Sequence, residues 1–91
     1  MYHITQYSFK RAKELGVIIK ASHKKDKKLD VFKKTGEYIC SIGNSNYKDY
    51  PTYRKENRVL AEERRRLYWI RHKKDANIKG TPGYYAARIL W

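Results

Sequence analysis

The stretch from Glu56 to Lys74 contains neither glycine nor proline and is rich in Leu, Glu, Arg and Lys. These residues enter a helix at little entropic cost, so the run predicts one long helix. Such a helix commits the second half of the chain to α structure and confines any sheet to the first half. Leu60 and Leu67, with Ala61, Tyr68 and Arg71, fall to one side at spacings of four and seven and mark the expected packing face. Glu62 precedes Arg66 by four residues, the order that favours a helical ion pair. Trp69 and Ile70 widen the apolar face, so this end of the helix calls for a second cover. The cover follows directly. Asp75 to Gly80 reads as a turn, Thr81-Pro82 as an N-cap followed by proline at the first helical position, and Gly83 to Leu90 as a helix. Two helices joined so briefly are expected to pack antiparallel, with Ile89-Leu90-Trp91 docked onto the body.

The first half reads differently. Ser8 is the expected N-cap of a short helix over Phe9 to Leu15, which Gly16 ends in the left-handed conformation. Val17 to Ala21 is short and β-branched, a strand. Ser22 to Lys28 is a polar, basic connection. Leu29 to Lys33 and Glu37 to Ile42 then flank Lys34-Thr35-Gly36, a pattern that predicts a hairpin with Leu29, Val31, Cys40 and Ile42 lining one face. Gly43 to Tyr53 reads as a loop broken by Pro51, anchored to the core by Tyr47, Tyr50 and Tyr53. The expected architecture over residues 1–91 is a single α+β domain. It has a short N-terminal helix and a small antiparallel β-hairpin sheet, followed by a long Arg-rich helix and a docked C-terminal helix.

Charge constrains the function. Lys and Arg number 22 against nine Asp and Glu, a formal net charge of +13. Solubility needs a net charge of only about 2–8, and the excess repels itself in the compact state. A polyanionic partner is the expected counterweight. With 41% hydrophobic and 14% aromatic residues the chain has ample core-forming material, so the charge does not signal disorder.

Little in the sequence suggests catalysis. Cys40 is the lone cysteine, and His3, His23 and His72 lack metal-ligand spacing. Gly80-Thr81-Pro82-Gly83 lacks the Lys-Ser/Thr of a phosphate loop. Glu62 and Glu63 point about 100° apart on a helix and cannot converge unaided. The expectation is a non-enzymatic protein without catalytic residues, cofactor, metal or small-molecule substrate. No secretory signal or membrane span is expected, and the single thiol suits a reducing compartment.

Seven of the eight arginines fall after residue 50, whereas the first half relies on lysine. Arginine is the preferred residue for bidentate phosphate or carboxylate contacts. Arg58, Arg65, Arg66, Lys73 and Lys74 are therefore the expected phosphate-binding residues of the helical half. Arg64, near the packing face, reads equally as a core-edge ion pair or a functional contact. Lys24, Lys25, Lys27 and Lys28 read as a loose electrostatic arm. The pattern predicts binding to nucleic-acid phosphates, double-stranded DNA first, with little sequence specificity. The alternative is a structural protein whose charge meets acidic protein faces.

Ser8-Phe-Lys-Arg-Ala-Lys-Glu-Leu-Gly-Val17, Leu29-Asp-Val-Phe-Lys33, Ser41-Ile-Gly43 and Tyr47-Lys-Asp-Tyr-Pro-Thr-Tyr53 form one set of distinctive segments. Glu63-Arg-Arg-Arg-Leu-Tyr68, Arg71-His72, Lys74-Asp75, Lys79-Gly-Thr-Pro-Gly-Tyr-Tyr-Ala86 and Leu90-Trp91 continue it. In these segments the chain resembles a family of small basic proteins encoded by nucleocytoplasmic large DNA viruses, the giant viruses of algae and amoebae. The resemblance implies a viral origin and supplies no catalytic residues. Its expected setting is the virion, with host cytoplasm or a viral factory during assembly. The expected partners are nucleic acid, viral capsid proteins, or both, the latter as a minor capsid or cementing protein bound to acidic faces of the major capsid protein.

Overall fold

In the computed structural model, which describes residues 2–91, the first helix (α1, Gln6–Leu15) starts earlier than expected. Thr5, not Ser8, is its N-cap: the Thr5 hydroxyl oxygen accepts from the Ser8 amide at 3.2 Å. Ser8 is buried instead, and its hydroxyl donates to the Ile89 carbonyl at 2.9 Å. Both residues have capping chemistry; the long-range bond that only Ser8 makes distinguishes them. Gly16 ends α1 in the left-handed region at φ +74°.

Three antiparallel strands follow in the order β1 (Val17–Ala21), β2 (Lys27–Lys33), β3 (Tyr38–Asn44). Leu29 pairs with Ile42 and Val31 with both Ile19 and Cys40, so alternation gathers these five side chains on one buried face. The hairpin and its inner face are as the periodicity predicts. A register shift between Val31 and Phe32 bends the ladder near its turn. Ala12 of α1 packs into the same core, together with Ile89 and Leu90 of the chain's last segment.

The expected loop over Gly43 to Tyr53 is shorter than predicted. β3 runs on to Asn44, and Tyr50–Glu56 forms a helix, α2. Asp49 caps it: one carboxylate oxygen accepts from the Thr52 amide at 3.1 Å and from the Thr52 hydroxyl at 2.7 Å. Pro51, read as a breaker, sits in the first turn, where its missing N–H costs nothing.

The single long helix is likewise corrected. Asn57 leaves the helical conformation and its side chain accepts from the Leu60 amide at 3.1 Å, so a new helix, α3, spans Arg58–Arg71. A short α4 (Lys73–Ala76) follows, occupying the start of the expected turn. Asparagine competes for backbone partners and favours caps, a signal that outweighs the helix formers around it.

The packing face of α3 also differs. Ala61 is buried and Tyr68 half-buried, whereas Leu67 and Ile70 are 40% and 62% exposed and Val59 is 79% exposed. The last helix, α5 (Pro82–Ile89), packs on α1, β3 and α4 and does not lie antiparallel along α3. It reaches α3 through side chains: the Arg88 guanidinium lies 5.6 Å from the Trp69 ring centre. That contact covers part of Trp69 and leaves Ile70 bare. Gly83 permits the close approach of α4 and α5, because a Cβ there would stand 2.9 Å from Asp75 Cβ.

Candidate nucleic-acid interface

The four lysines of the expected arm have three different environments. Lys28 is no part of a loose arm. It sits in β2, buried, with Nζ 3.0 Å from an Asp49 carboxylate oxygen. Tyr2 donates to that same oxygen at 2.6 Å. Burial pushes the Asp49 carboxyl up, but the bonds from Thr52 and Tyr2 and the Lys28 charge outweigh it and hold the group below its usual range. Burial and the neighbouring carboxylate push the Tyr2 phenol far up, so it stays a donor. Lys28 thus neutralises a buried cap and is not available to a ligand.

Lys24 is exposed but positioned. Its Nζ donates to the Tyr38 hydroxyl at 2.6 Å and lies 4.5 Å from that ring centre. The Ser41 hydroxyl donates to Asp30 at 2.6 Å, so the Tyr38 hydroxyl, 2.7 Å away, must donate to Ser41. A relay Lys24–Tyr38–Ser41–Asp30 therefore crosses the outer face of the sheet. The Lys24 bond holds the Tyr38 phenol below its ordinary value and raises the lysine. Asp30 is pushed up by burial but held low on balance by hydroxyl bonds from Ser41 and Ser22. Lys25 and Lys27 are exposed.

The helical candidates do not form one basic face. Arg65 folds inward, its guanidinium 4.7 Å from the Tyr50 ring centre, and Arg64 stands 5.9 Å from the Tyr53 ring. Arg64 is exposed and stands in no ion pair among the described residues, so of its two expected roles the core-edge ion pair is not formed. Arg58 and Arg66 are exposed on α3, about 80° apart around its axis. Lys73 and Lys74 are exposed on α4.

The fold instead builds a cleft of about 580 Å³ where the end of β3, the following turn, the last turn of α3 and the start of α5 meet. Ile42, Gly43, Ala86 and Leu90 contribute its apolar part. Tyr68 and Trp91 line it as a stacked pair, 4.5 Å between centres and 7° between planes, with the His72 ring centre 4.4 Å from that of Tyr68. Tyr47 also lines it and is 72% exposed. Lys27, Lys48 and Arg71 supply positive charge, Lys48 being held by Glu56 at 2.7 Å. Among the described residues lining it there is no Asp or Glu side chain. Gly43, at φ +79°, is required here: a Cβ would meet Leu90 Cδ1 at 2.7 Å.

Lys27 borders a second hollow as well, of about 530 Å³, lined by His23, Lys24 and Ser45 among others. The structure therefore brings Lys27 together with Arg71 and Tyr47, two residues that the sequence pattern does not place in the site, and sets Lys24 beside Lys27 in the second hollow. The signal that could have found Tyr47 is local: Tyr47-Lys48 in a Ser/Asn turn pairs an aromatic with a cation, the usual chemistry of a base-stacking surface.

Among the described residues no three His, Cys, Asp or Glu side chains gather as a metal site, and no helix is long and apolar enough to cross a membrane. Comparison of the chain with protein families, with curated proteins and with solved structures finds no match.

Proposed function

We propose that the protein binds nucleic-acid backbones, duplex DNA among them and with little base specificity, through the cations that run from Lys24 and Lys27 past the cleft to Arg71. The observation that carries this reading is the state of the positive charge. Of the 22 Lys and Arg, four stand in ion pairs among the described residues, and Lys24, Lys27 and Arg71 are not among them. Unpaired cations that border two adjoining hollows can neutralise successive phosphates without reading bases. Exposed Lys25, Lys73 and Lys74 extend the positive field around them. Titration of blunt duplex DNA at several salt concentrations tests the proposal. About five phosphate contacts give a slope of log K against log salt near −4 to −5. Duplexes of unrelated sequence are expected to bind alike. Affinity that ignores salt would overturn the reading.

A second reading has its own observation. Val59, Leu67 and Ile70 share the outward side of α3 beside the exposed Arg66. An apolar side on a basic helix, though interrupted by the exposed Glu63, suits a protein surface with acidic surroundings, as a minor capsid or cementing protein in the virion setting would need. Changing Val59 and Ile70 to Ser separates the readings: it leaves duplex affinity within about twofold and abolishes attachment to capsid protein.

A further inference from the structure

We infer that the cleft takes an unpaired nucleotide of a nucleic-acid strand, its base on the aromatic lining and its phosphate on the cations at the edge. Single strands and frayed ends are then bound more tightly than blunt duplex. The inference rests on the nucleic-acid reading and specifies what that site selects.

The chemistry of the lining leads to this ligand. A wall made of the Tyr68–Trp91 stack and a floor with Ile42, Ala86 and Leu90 favour a flat, largely apolar body. Lys27 and Arg71, with no Asp or Glu side chain among the described lining residues, favour an anion attached to it. A volume of about 580 Å³ lies in the range of small-ligand sites. Asn44 lines the same space and can meet the polar edge of a base. The Asn44 side-chain oxygen already accepts from the Asn46 amide at 2.9 Å, which leaves its NH₂ group to donate.

Tyr47 points the same way. The Tyr47 amide donates to the Asn44 carbonyl at 3.1 Å, closing the turn that carries this exposed ring at the cleft. A tyrosine so placed contributes little to the core and much to a stacking surface. A base inside a duplex has both faces covered by its neighbours, so the base that reaches this lining must be unpaired.

The test uses the full chain and four fluorescently followed ligands. These are a single-stranded DNA of about ten bases, an abasic strand of equal length, the blunt duplex of the same sequence, and thymidine monophosphate as competitor. The strand is expected to bind at least about fivefold tighter than its abasic counterpart, the low end of what one stacked base contributes. Tyr47→Ala removes that difference. Because Tyr47 is exposed, its variant keeps the melting temperature of the parent, which is measured alongside. Arg71→Gln weakens strand and abasic strand together, since it removes a phosphate contact. Equal binding of strand and abasic strand overturns the inference while leaving backbone binding intact. A monophosphate that competes as well as the strand overturns the strand assignment, because the site would then serve free nucleotides. Failure of the duplex and the abasic strand to bind at all would instead sink the backbone reading, whereas a strand that still bound through its bases would support the cleft assignment.

Discussion

Trp91 lies flat on Tyr68, 4.5 Å from it and 7° from parallel, and this stack fastens the end of the chain to α3. The residues just before it are bound more deeply. Ile89 and Leu90 are buried, the Ile89 carbonyl accepts from the Ser8 hydroxyl at 2.9 Å, and the Leu90 carbonyl accepts from the Tyr50 amide at 3.0 Å. Removing Ile89-Leu90-Trp91 is expected to cost at least about 3 kcal/mol, as for loss of a large core side chain. In so small a domain that abolishes the cooperative transition. Removing Trp91 alone deletes a partly covered ring and costs about 1–2 kcal/mol. Thermal melts of the two truncated chains check this; equal losses would place the stability in the stack instead of the core.

The buried pair Lys28–Asp49 gives a second prediction. Asp49→Asn leaves the Lys28 ammonium buried beside a neutral amide, and breaking such a pair from one side costs about 3–5 kcal/mol. Lys28→Met together with Asp49→Asn is expected to lose less than the single change, since no unpaired charge remains. The pH dependence follows from the direction of the shift. The folded carboxyl is held below its unfolded value, so its contribution is fully present above the unfolded pKa of about 3.9. That contribution disappears as pH falls through the lower folded value. Urea melts between neutral and acid pH should show a decline in the parent that flattens in Asp49→Asn. A decline of the same size in both would assign the acid sensitivity to another carboxylate.

The surface cations can be separated by position. Lys24→Gln, Lys27→Gln and Arg71→Gln together remove three cations at the two hollows, whereas Arg58→Gln with Arg66→Gln removes two on α3. The first set is expected to lower the salt slope of duplex binding by about 2–3, close to 0.9 for each phosphate no longer neutralised. The second set changes it by less than about one. Equal effects per charge would mean that bulk charge governs binding.

Sequence pattern reveals the elements whose signal is local. The hairpin around Lys34-Thr35-Gly36, the Gly16 stop and the Thr81-Pro82 start all depend on near neighbours, and each is where the pattern places it. The pattern misleads where one residue can serve two partners. Ser8 and Thr5 can each cap a helix, and the distant Ile89 carbonyl claims Ser8. Lys28 looks like one lysine among four until Asp49, 21 residues away, draws it inside. Leu67 and Ile70 look like core because leucine and isoleucine usually are, yet α3 turns Ala61 and Tyr68 inward. The cleft is invisible in the sequence for the same reason: its lining comes from β2, β3, α3, α5 and the turn after β3, and only their packing assembles it.

Gly43 offers the sharpest test of that packing. Two glycines, Gly36 and Gly43, have positive φ within the hairpin, at +97° and +79°. A Cβ on Gly36 meets nothing within 4 Å, so Gly36→Ala incurs only the left-handed backbone penalty of about 1–2 kcal/mol. A Cβ on Gly43 meets Leu90 Cδ1 at 2.7 Å and two Lys28 side-chain carbons at 3.1 Å. Gly43→Ala therefore adds an overpacking cost of about 1–3 kcal/mol to the same strain. The two neighbours are the floor of the cleft and the buried cation, so the displacement also reaches the binding surface. Chemical denaturation is expected to rank Gly43→Ala as the more damaging change. At a temperature where both variants are folded, only Gly43→Ala should reduce the preference for single strands. If the two variants lose equal stability, Leu90 can swing aside freely, and the floor of the cleft is softer than its packing implies.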